Sequence, residues 1–383
     1  MNKKNIFLMN AIILLQGLVF YGPIATVYRL NKGINIKEIF LIESIFIIFS
    51  LLFEVPWGIF ADKFGYKRTI VISNLIFFIS KIIFFKANSF ALFIVERIFL
   101  AIAISGLSGV DSAIIYESLD NKEESEKVFS RYIGCSNIGY LLGSLLSIFI
   151  VSKSMDLAAF YTIIPYGLAF LMSLFIKDIK YENREKVSLI SNFKSIINNK
   201  KIIIFIFGTA ILSEASHGIT AFLNQNQYLK SGIDIKYFGL IVVFNQLLKI
   251  LGIKTYKITS KILNIDLIII ISIIIGLNSF GLVFTSNKIV SIVLISVISL
   301  AITLIEPLII DIENKSVTTQ DRATVLSIYS IIGSIVSLIV NPYIGKFAEV
   351  SIEQGFIFCS IVSLVSVSLI IFYKKLNNKN NIE

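Results

Sequence analysis

Long apolar segments alternate with short polar ones along almost the whole chain. Each apolar segment is close to, or longer than, the roughly 20 residues that an α-helix needs to cross the hydrocarbon core of a bilayer. Twelve such segments are found, at residues 6–28, 38–60, 69–86, 89–117, 130–152, 157–176, 202–228, 236–256, 265–285, 289–311, 322–345 and 353–373. The pattern therefore predicts an all-α membrane protein with twelve transmembrane helices.

The longest polar stretch lies between the sixth and seventh predicted helices, at residues 177–201. It separates an N-terminal six-helix bundle at 1–176 from a C-terminal six-helix bundle with a short cytoplasmic tail at 202–383. Because this stretch is polar and basic, we expect it to form a central cytoplasmic loop between the bundles.

The two halves share a local pattern. Arg131 precedes Gly143-Ser144 in the fifth predicted helix, and Arg322 precedes Gly333-Ser334 in the eleventh. The offset between the two copies is about half the chain. Similarity at a fixed offset is typical of transporters built from two structural repeats, so the pattern predicts two related bundles.

Composition excludes several classes of function. Hydrophobic residues make up 56% of the chain, charged residues only 16%, and the mean hydropathy is +0.83. Soluble domains are nearer roughly 45–50% apolar and 25% charged. The sequence has no P-loop for ATP, and its single histidine and two cysteines provide no metal-binding cluster or disulfide framework. We therefore expect that the protein has no cofactor. We expect its energy to come from an ion gradient, with protons as the ion.

The distribution of positive charge predicts the orientation. The net charge is +10, and the segments on the side of the N-terminus hold more than twice as many lysines and arginines as the opposite loops. Cytoplasmic loops of membrane proteins carry such an excess. We therefore expect a multi-pass protein of the cell (inner) membrane with both termini in the cytoplasm. The positive charge then needs no nucleic-acid partner to explain it.

One short basic segment carries the most specific motif. Residues 58–69 read Gly-Ile-Phe-Ala-Asp-Lys-Phe-Gly-Tyr-Lys-Arg-Thr and lie between the second and third predicted helices. They resemble the loop that marks the major facilitator superfamily of secondary transporters at this place. Tyr66 stands where the family usually has an arginine, and Arg68 is expected to supply that charge. The positions that carry the resemblance are Gly58, Asp62, Lys63, Gly65, Lys67 and Arg68.

The resemblance implies a fold and a gate. The family fold has two six-helix bundles around a central cavity that opens to each side in turn. By the same resemblance, Asp62 would accept hydrogen bonds from the N-terminus of the eleventh helix near Arg322, closing the cytoplasmic face. We expect Gly58 to permit close helix approach and Gly65 to adopt a positive φ. Glu54-Val55-Pro56 resembles a subset of bacterial members, many assigned to drug efflux.

Two other helices resemble the family less closely. Arg97 occupies the place of the fourth-helix arginine, but the Gln and Gly that usually follow are absent, so proton coupling and a structural role both stay open. Tyr140 replaces the proline of the family's antiporter motif in the fifth helix, which weakens the case for export. The spacing of Gly139 and Gly143 still predicts tight helix packing.

Ionisable side chains inside the predicted helices are the candidates for coupling and substrate binding, because a charge in hydrocarbon needs a cavity or a partner. Glu214 and Lys249 fall near the midplane of neighbouring helices, either as an ion pair or linked through a substrate. Asp111 and Glu306 lie in helices that line the cavity of the family. We expect Asp111, Glu214 and Glu306 to carry protons or bind a cationic substrate; the alternative for each is a structural role.

Other polar and aromatic residues extend this hypothesis. Tyr21, Tyr116 and Asn224 are expected to contact the substrate from the cavity wall. Gly218 and the polar run at residues 224–227 predict a break toward the outer end of the seventh helix. In the family, such breaks form the outer gate.

Two local pairs are also expected. His217 follows Glu214 by one helical turn, so we expect the two side chains to hydrogen-bond. Glu43 and Lys81 lie at similar depth in the second and third predicted helices, and we expect them to form a structural ion pair.

These observations predict a secondary active transporter that exports a small amphipathic or drug-like molecule in exchange for protons, and that works as a monomer in the bilayer. Proton-coupled uptake of a nutrient or natural product is the alternative within the same class. A membrane-embedded enzyme would need a metal or nucleophile cluster that the chain lacks. A non-transporting sensor would need a longer cytoplasmic extension than these short tails provide.

Overall fold

The computed structural model describes residues 3–178, 200–259, 265–317 and 322–380. Within these ranges, twelve helices are long and apolar enough to cross a membrane, which confirms the prediction. They are α1 (Lys4–Asn31), α2 (Ile36–Phe64), α3 (Tyr66–Lys86), α4 (Phe90–Glu117), α5 (Lys122–Val151), α6 (Met155–Ser173), α7 (Lys201–Lys230), α8 (Ile235–Gly252), α9 (Ile265–Phe284), α10 (Lys288–Lys315), α11 (Val325–Val350) and α12 (Ile352–Asn377). Most of the predicted central loop, residues 179–199, lies outside the described residues.

The chain divides into two compact units. The first comprises Met1–Ile34, Ile42–Arg184 and Ile235–Val243, and the second comprises Asn35–Leu41, Glu185–Asp234 and Phe244–Glu383. The first unit thus holds α1, α3–α6, most of α2 and the first half of α8. The second holds α7, α9–α12, the start of α2 and the second half of α8.

The packing within the two units follows the same scheme. In the first unit, α1 contacts α5 and α6, and α3 contacts α4 and α6. In the second unit, α7 contacts α11 and α12, and α9 contacts α10 and α12. If six is added to the helix numbers of each contacting pair in the first unit, the result is a contacting pair in the second unit. This correspondence confirms the two structural repeats that the sequence predicts.

Glycines bring α1 and α5 close together in the first unit. A Cβ atom added to Gly17 would lie 2.7 Å from the Ser136 carbonyl oxygen, and one added to Gly139 would meet the Leu14 carbonyl oxygen. A Cβ at Gly143 would lie 3.0 Å from the Val19 backbone nitrogen. Only glycine leaves room for backbones at this separation, so the predicted tight packing is confirmed.

Three of the helices are interrupted within the membrane-spanning length. The α-helical part of α1 ends at Gly17 and resumes at Ala25 after a short 3₁₀ turn. Helix α4 is interrupted at Gly109, whose φ of 75° is left-handed, and continues from Val110. Helix α7 passes through a π-helical segment, Gly218–Leu223, and returns to α-helix at Asn224. The sequence predicts only the last of these interruptions.

Candidate functional site

Glu214 is the most buried of the three predicted coupling carboxylates. It lies near the middle of α7 and is only 7% exposed. The Nδ1 atom of His217 lies 3.6 Å from its Oε1 atom, one turn further along the same helix. Ser337 and Asn341, one turn apart on α11, lie near the Glu214 carboxylate. Glu214 therefore has polar side chains of a second helix and a titratable imidazole beside it, but its Oε1 atom and the Asn341 amide have no hydrogen-bond partner among the described residues.

His217 is the accessible member of this pair. Its side chain is 51% exposed, whereas that of Glu214 is 9% exposed. The imidazole ring stands edge-on to Phe222, with ring centroids 5.4 Å apart, at the start of the π-helical segment. A π-helical turn inside an α-helix is rare and frequently lies at a functional site. The expected hydrogen bond between His217 and Glu214 is not formed, because the 3.6 Å between the Nδ1 and Oε1 atoms exceeds hydrogen-bond distance and the Oε1 atom has no hydrogen-bond partner among the described residues.

Lys249 and Glu306 form a second, looser association in the same unit. Lys249 on α8 is half-buried and Glu306 on α10 is exposed. Glu306 is the carboxylate that lies near enough to influence Lys249 through its charge. The two do not form an ion pair, because no carboxylate of the described residues lies within 4.0 Å of the Lys249 ammonium. The direct Glu214–Lys249 ion pair, one of the two predicted arrangements, is not formed. Glu214 instead has His217 as its titratable neighbour, because the two residues share one face of α7.

Asp111 in the first unit has protein partners for both carboxylate oxygens. It lies in the first turn of the second segment of α4, just after the left-handed Gly109. Its Oδ1 atom accepts a hydrogen bond from the Ser112 backbone N–H at 2.6 Å, and its Oδ2 atom accepts one from the Tyr132 hydroxyl at 3.0 Å. A carboxylate at a helix N-terminus is stabilised by the helix dipole, so these contacts account for Asp111 structurally.

A buried group of charges lies at the other end of the first unit's helices. Arg97 pairs with Glu43, with 3.2 Å between Nη2 and Oε2. Glu96 is fully buried and lies 3.9 Å from guanidinium nitrogens of both Arg29 and Arg97. Arg29 is itself only 2% exposed. The predicted Glu43–Lys81 pair is wrong: similar depth in the bilayer does not make two residues lateral neighbours, and Arg97 occupies the position beside Glu43.

Lys81 is held by aromatic rings. Its ammonium group donates a hydrogen bond to the Tyr21 hydroxyl at 3.0 Å and lies within 5.0 Å of the ring centroids of Phe77 and Tyr166. Such cation–π contacts are attractive and strengthen when the cation is desolvated. Tyr21, expected in the cavity wall, is 6% exposed and stacks on Phe84 at 3.9 Å, so its hydroxyl and ring are engaged inside the first unit.

The other two residues expected to contact substrate differ in exposure. Tyr116 is 37% exposed near the end of α4, where the Lys122 ammonium lies 4.1 Å from the ring centroid. Asn224 is 8% exposed, and its Oδ1 atom accepts a hydrogen bond from the Gln225 backbone N–H. Gln227, in the same polar run, bonds to the Thr285 carbonyl and the Ser291 hydroxyl, so it holds α7 against α10.

The basic loop between α2 and α3 has the predicted turn. Gly65 has a φ of 86°, which confirms the predicted positive φ, and its carbonyl accepts a hydrogen bond from the Thr69 hydroxyl at 2.9 Å. Asp62, Lys63 and Arg68 are exposed and Lys67 is half-exposed. No heavy atom lies within 4 Å of a Cβ added to Gly58, so the predicted close helix approach at this glycine does not occur in this structure.

Sequence reasoning missed Arg29, Glu96, Ser337 and Asn341. The positive-inside count assigns Arg29 to a loop, yet the apolar run before it is long enough for a helix that includes it. Ser337 and Asn341 do carry a signal, because two polar residues spaced by four in an apolar helix lie on one face and need a polar neighbour.

Comparison with known families is decisive for the class of protein. The family model of the Major Facilitator Superfamily matches residues 6–341. The chain belongs to this superfamily. The family and the structural neighbours are transporters and not enzymes, and the twelve helices make this chain a multi-pass membrane protein.

Individual members of the superfamily give less specific information. The chain is 28% identical over 207 residues to the uncharacterized MFS-type transporter YxaM of Bacillus subtilis, covering 50% of this chain and 51% of that protein. It is 24% identical over 180 residues to the quinolone resistance protein NorA of Staphylococcus aureus, covering 45% of each. The alignments thus span about half the length of these relatives.

Solved MFS structures share the fold over almost the entire chain. The nucleoside transporter NupG superposes with a TM-score of 0.81 and 16% identity, covering 98% of this chain and 99% of that one. A D-xylose-proton symporter superposes with a TM-score of 0.74 and 14% identity, covering 96% and 97%. At such identities the likeness establishes the fold alone. Direction of transport and substrate are left undetermined.

Proposed function

We propose that this chain exchanges protons for a small amphipathic or drug-like cation and exports it by alternating access. The observation that carries the proposal is Glu214, a buried carboxylate in the middle of α7 with a half-exposed histidine beside it. An ionised carboxylate surrounded by apolar helices is costly unless a cation or a proton accompanies it. Proton and cationic substrate would therefore compete for Glu214, and this competition is the basis of exchange.

The other predicted site residues differ in how strongly their surroundings support a role in transport. Glu306 is exposed on α10 and Lys249 is half-buried on α8, and we assign this oppositely charged pair a second, weaker part in coupling or substrate binding in the same unit. Asp111 is a weaker candidate, because Tyr132 and its own helix already satisfy its oxygens. Arg97 would act through its pair with Glu43 and not on substrate directly. Tyr116 and Asn224 stay as substrate contacts, while the surroundings of Tyr21 favour a structural role.

Export is favoured over uptake by one comparison. NorA, whose name denotes quinolone resistance, aligns with nearly half of this chain. The structural neighbours include a D-xylose-proton symporter, but their low identity carries the fold and not the direction. Energy would come from the proton gradient with no bound cofactor, and one chain with its two repeated units would suffice for transport. Proton-coupled uptake is the second candidate.

Everted membrane vesicles provide the test. Respiration acidifies their interior, and an acridine dye reports the pH gradient. A fluoroquinolone, ethidium and an uncharged amphipathic compound are added from outside. We expect at least one cationic compound to collapse the gradient in vesicles that contain the wild-type protein, because an exporter would move the compound inward and protons outward. The Glu214→Gln variant should lose this response.

Glu123→Gln is the matched control, since it removes one carboxylate from an exposed position in the first turn of α5. It should behave as wild type. Alkalinisation of the medium when a compound is added to intact cells, with no response in everted vesicles, would instead favour uptake. A full response from Glu214→Gln, at equal protein amount, would remove Glu214 from the exchange.

A further inference from the structure

A polar pocket lies at one end of the second unit, where α7 and α9 begin and α10 and α12 end. Its volume is about 410 Å³, within the range of roughly 300–1,000 Å³ of pockets that hold drug-sized ligands. All of its lining residues belong to the second unit. They are Lys201, Ile202, Ile265, Ile312, Lys315, Ser316, Tyr373 and Asn377.

The charges around this pocket do not cancel. Lys315 bonds to Asp311 at 2.6 Å, and Lys374 bonds to Asp266 beside the pocket. Lys201 has no carboxylate within 4.0 Å among the residues that the structure describes. A lysine ammonium has three N–H donors, so Lys201 retains all of its donors and Lys315 retains those that Asp311 does not use. The pocket therefore favours an anion with several acceptor oxygens.

The rest of the lining is apolar and continues into the bundle. Ile202 is buried, and Ile265 and Ile312 are half-buried at the ends of membrane-spanning helices. The Tyr373 ring packs against the Phe205 ring in a tilted arrangement, with 4.8 Å between centroids, and forms one wall of the pocket. A soluble phosphate ion would use only the lysine side of this pocket. A ligand with a phosphate joined to hydrocarbon would use both sides.

We propose that this pocket binds the headgroup of an anionic phospholipid, with the phosphate at Lys201 and Lys315 and the first part of an acyl chain along the three isoleucines. The pocket lies where α7 and α9 begin and α10 and α12 end, and the excess of basic residues predicts that these helix ends are cytoplasmic. The cytoplasmic leaflet is negatively charged, and basic pockets between transmembrane helices on that side bind such headgroups.

Native mass spectrometry of the full-length protein in detergent tests this assignment. The protein is titrated separately with phosphatidylglycerol, phosphatidylcholine and glycerol phosphate, and retained adducts are counted. We expect wild type to retain phosphatidylglycerol in preference to phosphatidylcholine. Because each lysine near the headgroup contributes a modest attraction, Lys201→Gln should weaken this retention roughly fivefold, and the Lys201→Gln/Lys315→Gln double variant more.

The matched control is Lys288→Gln/Lys346→Gln. These two lysines are exposed and lie at the opposite end of the helices in the same unit. This control should retain phosphatidylglycerol as wild type does. Equal retention of the two phospholipids by wild type, or equal loss in both double variants, would overturn the site. Retention of glycerol phosphate as strong as that of the phospholipid would show a soluble-phosphate site and also overturn the lipid assignment.

Should the double variant fail to fold, the Lys201→Gln single variant still tests the location of the site, and the comparison of the three ligands on wild type tests the preference for an anionic phospholipid. Proton-coupled transport by Glu214 is a separate property, so failure of either proposal leaves the other standing.

Discussion

Five charged residues lie near the same end of α1–α4, three of them buried and two, Glu43 and Arg97, partly buried, and each has a specific partner. Arg97 pairs with Glu43, Glu96 lies between Arg29 and Arg97, and Lys81 is held by tyrosine and phenylalanine rings. Removing one member of a buried pair leaves an uncompensated charge, which costs about 3–5 kcal/mol. The group is therefore sensitive to single substitutions.

Glu43→Gln should lower the stability of the folded protein by roughly 3–5 kcal/mol, because Arg97 then loses its nearest carboxylate. Thermal unfolding in detergent, followed by loss of the monodisperse size-exclusion peak, measures this. The control is Glu117→Gln, which breaks a pair between side chains that are 39% and 42% exposed. It should change stability by about 1 kcal/mol or less. Equal stability of the two variants would contradict the interpretation.

The sequence predicts correctly how deep a charged residue lies in the bilayer, but it does not predict which side chains lie beside it. Hydropathy indicates how far along a helix Glu43 and Lys81 lie, and both are indeed near the same end. It contains nothing about which helix faces turn toward each other, so it pairs them wrongly and misses Arg29 and Glu96. Glu214 is predicted as a site residue from its depth alone, but its neighbours on α11 follow only from packing.

At the scale of elements, the interruption in α7 has a testable origin. A π-helical segment arises when one extra residue is accommodated within an α-helix. Deletion of Thr220, inside Gly218–Leu223, should therefore restore continuous α-helix and leave the flanking turns in register. Deletion of Ile211, in the regular part, should rotate the following residues by about 100° and move Glu214 off its face.

Thermal stability distinguishes the two deletions. We expect the Thr220 deletion to unfold near the wild-type temperature and the Ile211 deletion to unfold far below it or to fail to accumulate. The opposite order would show that the π-helical segment is not a tolerated insertion.

The contact between α1 and α5 depends on glycine. Gly139→Val should destabilise the first unit by about 1–3 kcal/mol or more, because the side chain would meet the backbone of α1. Gly134→Val is the matched change on the same helix, where no heavy atom lies within 4 Å of an added Cβ. It should be tolerated in the same unfolding measurement. A similar loss in both variants would mean that helix propensity, and not close packing, limits stability here.

The sequence predicts which segments form membrane-spanning helices, but it does not predict where most of these helices are interrupted. All twelve helices are predicted because the bilayer demands apolar runs of fixed length. The interruptions after Gly17 and at Gly109 fall within segments that hydropathy averages into single spans, and only local residues such as Gly22-Pro23 and Ser108-Gly109 mark them. Gly218 precedes a polar run, and there the interruption could be predicted.

For the whole molecule, orientation remains a prediction from the distribution of lysine and arginine. Green fluorescent protein fused after Glu383 should fluoresce, since it would fold in the cytoplasm. Alkaline phosphatase fused after Gly232, between α7 and α8, should be active because that loop would lie outside the cell. Active phosphatase at Glu383 together with an inactive fusion at Gly232 would reverse the orientation and move the proposed lipid pocket to the outer leaflet.

Exchange of a proton for a cation at Glu214 is the central claim, and ligand-linked proton release measures it most directly. Purified protein in weakly buffered detergent solution is mixed with the cationic compound that collapses the vesicle gradient, and a pH dye records the protons released. Wild type should release about one proton for each bound cation, and Glu214→Gln close to none. Equal release from both proteins would contradict the account.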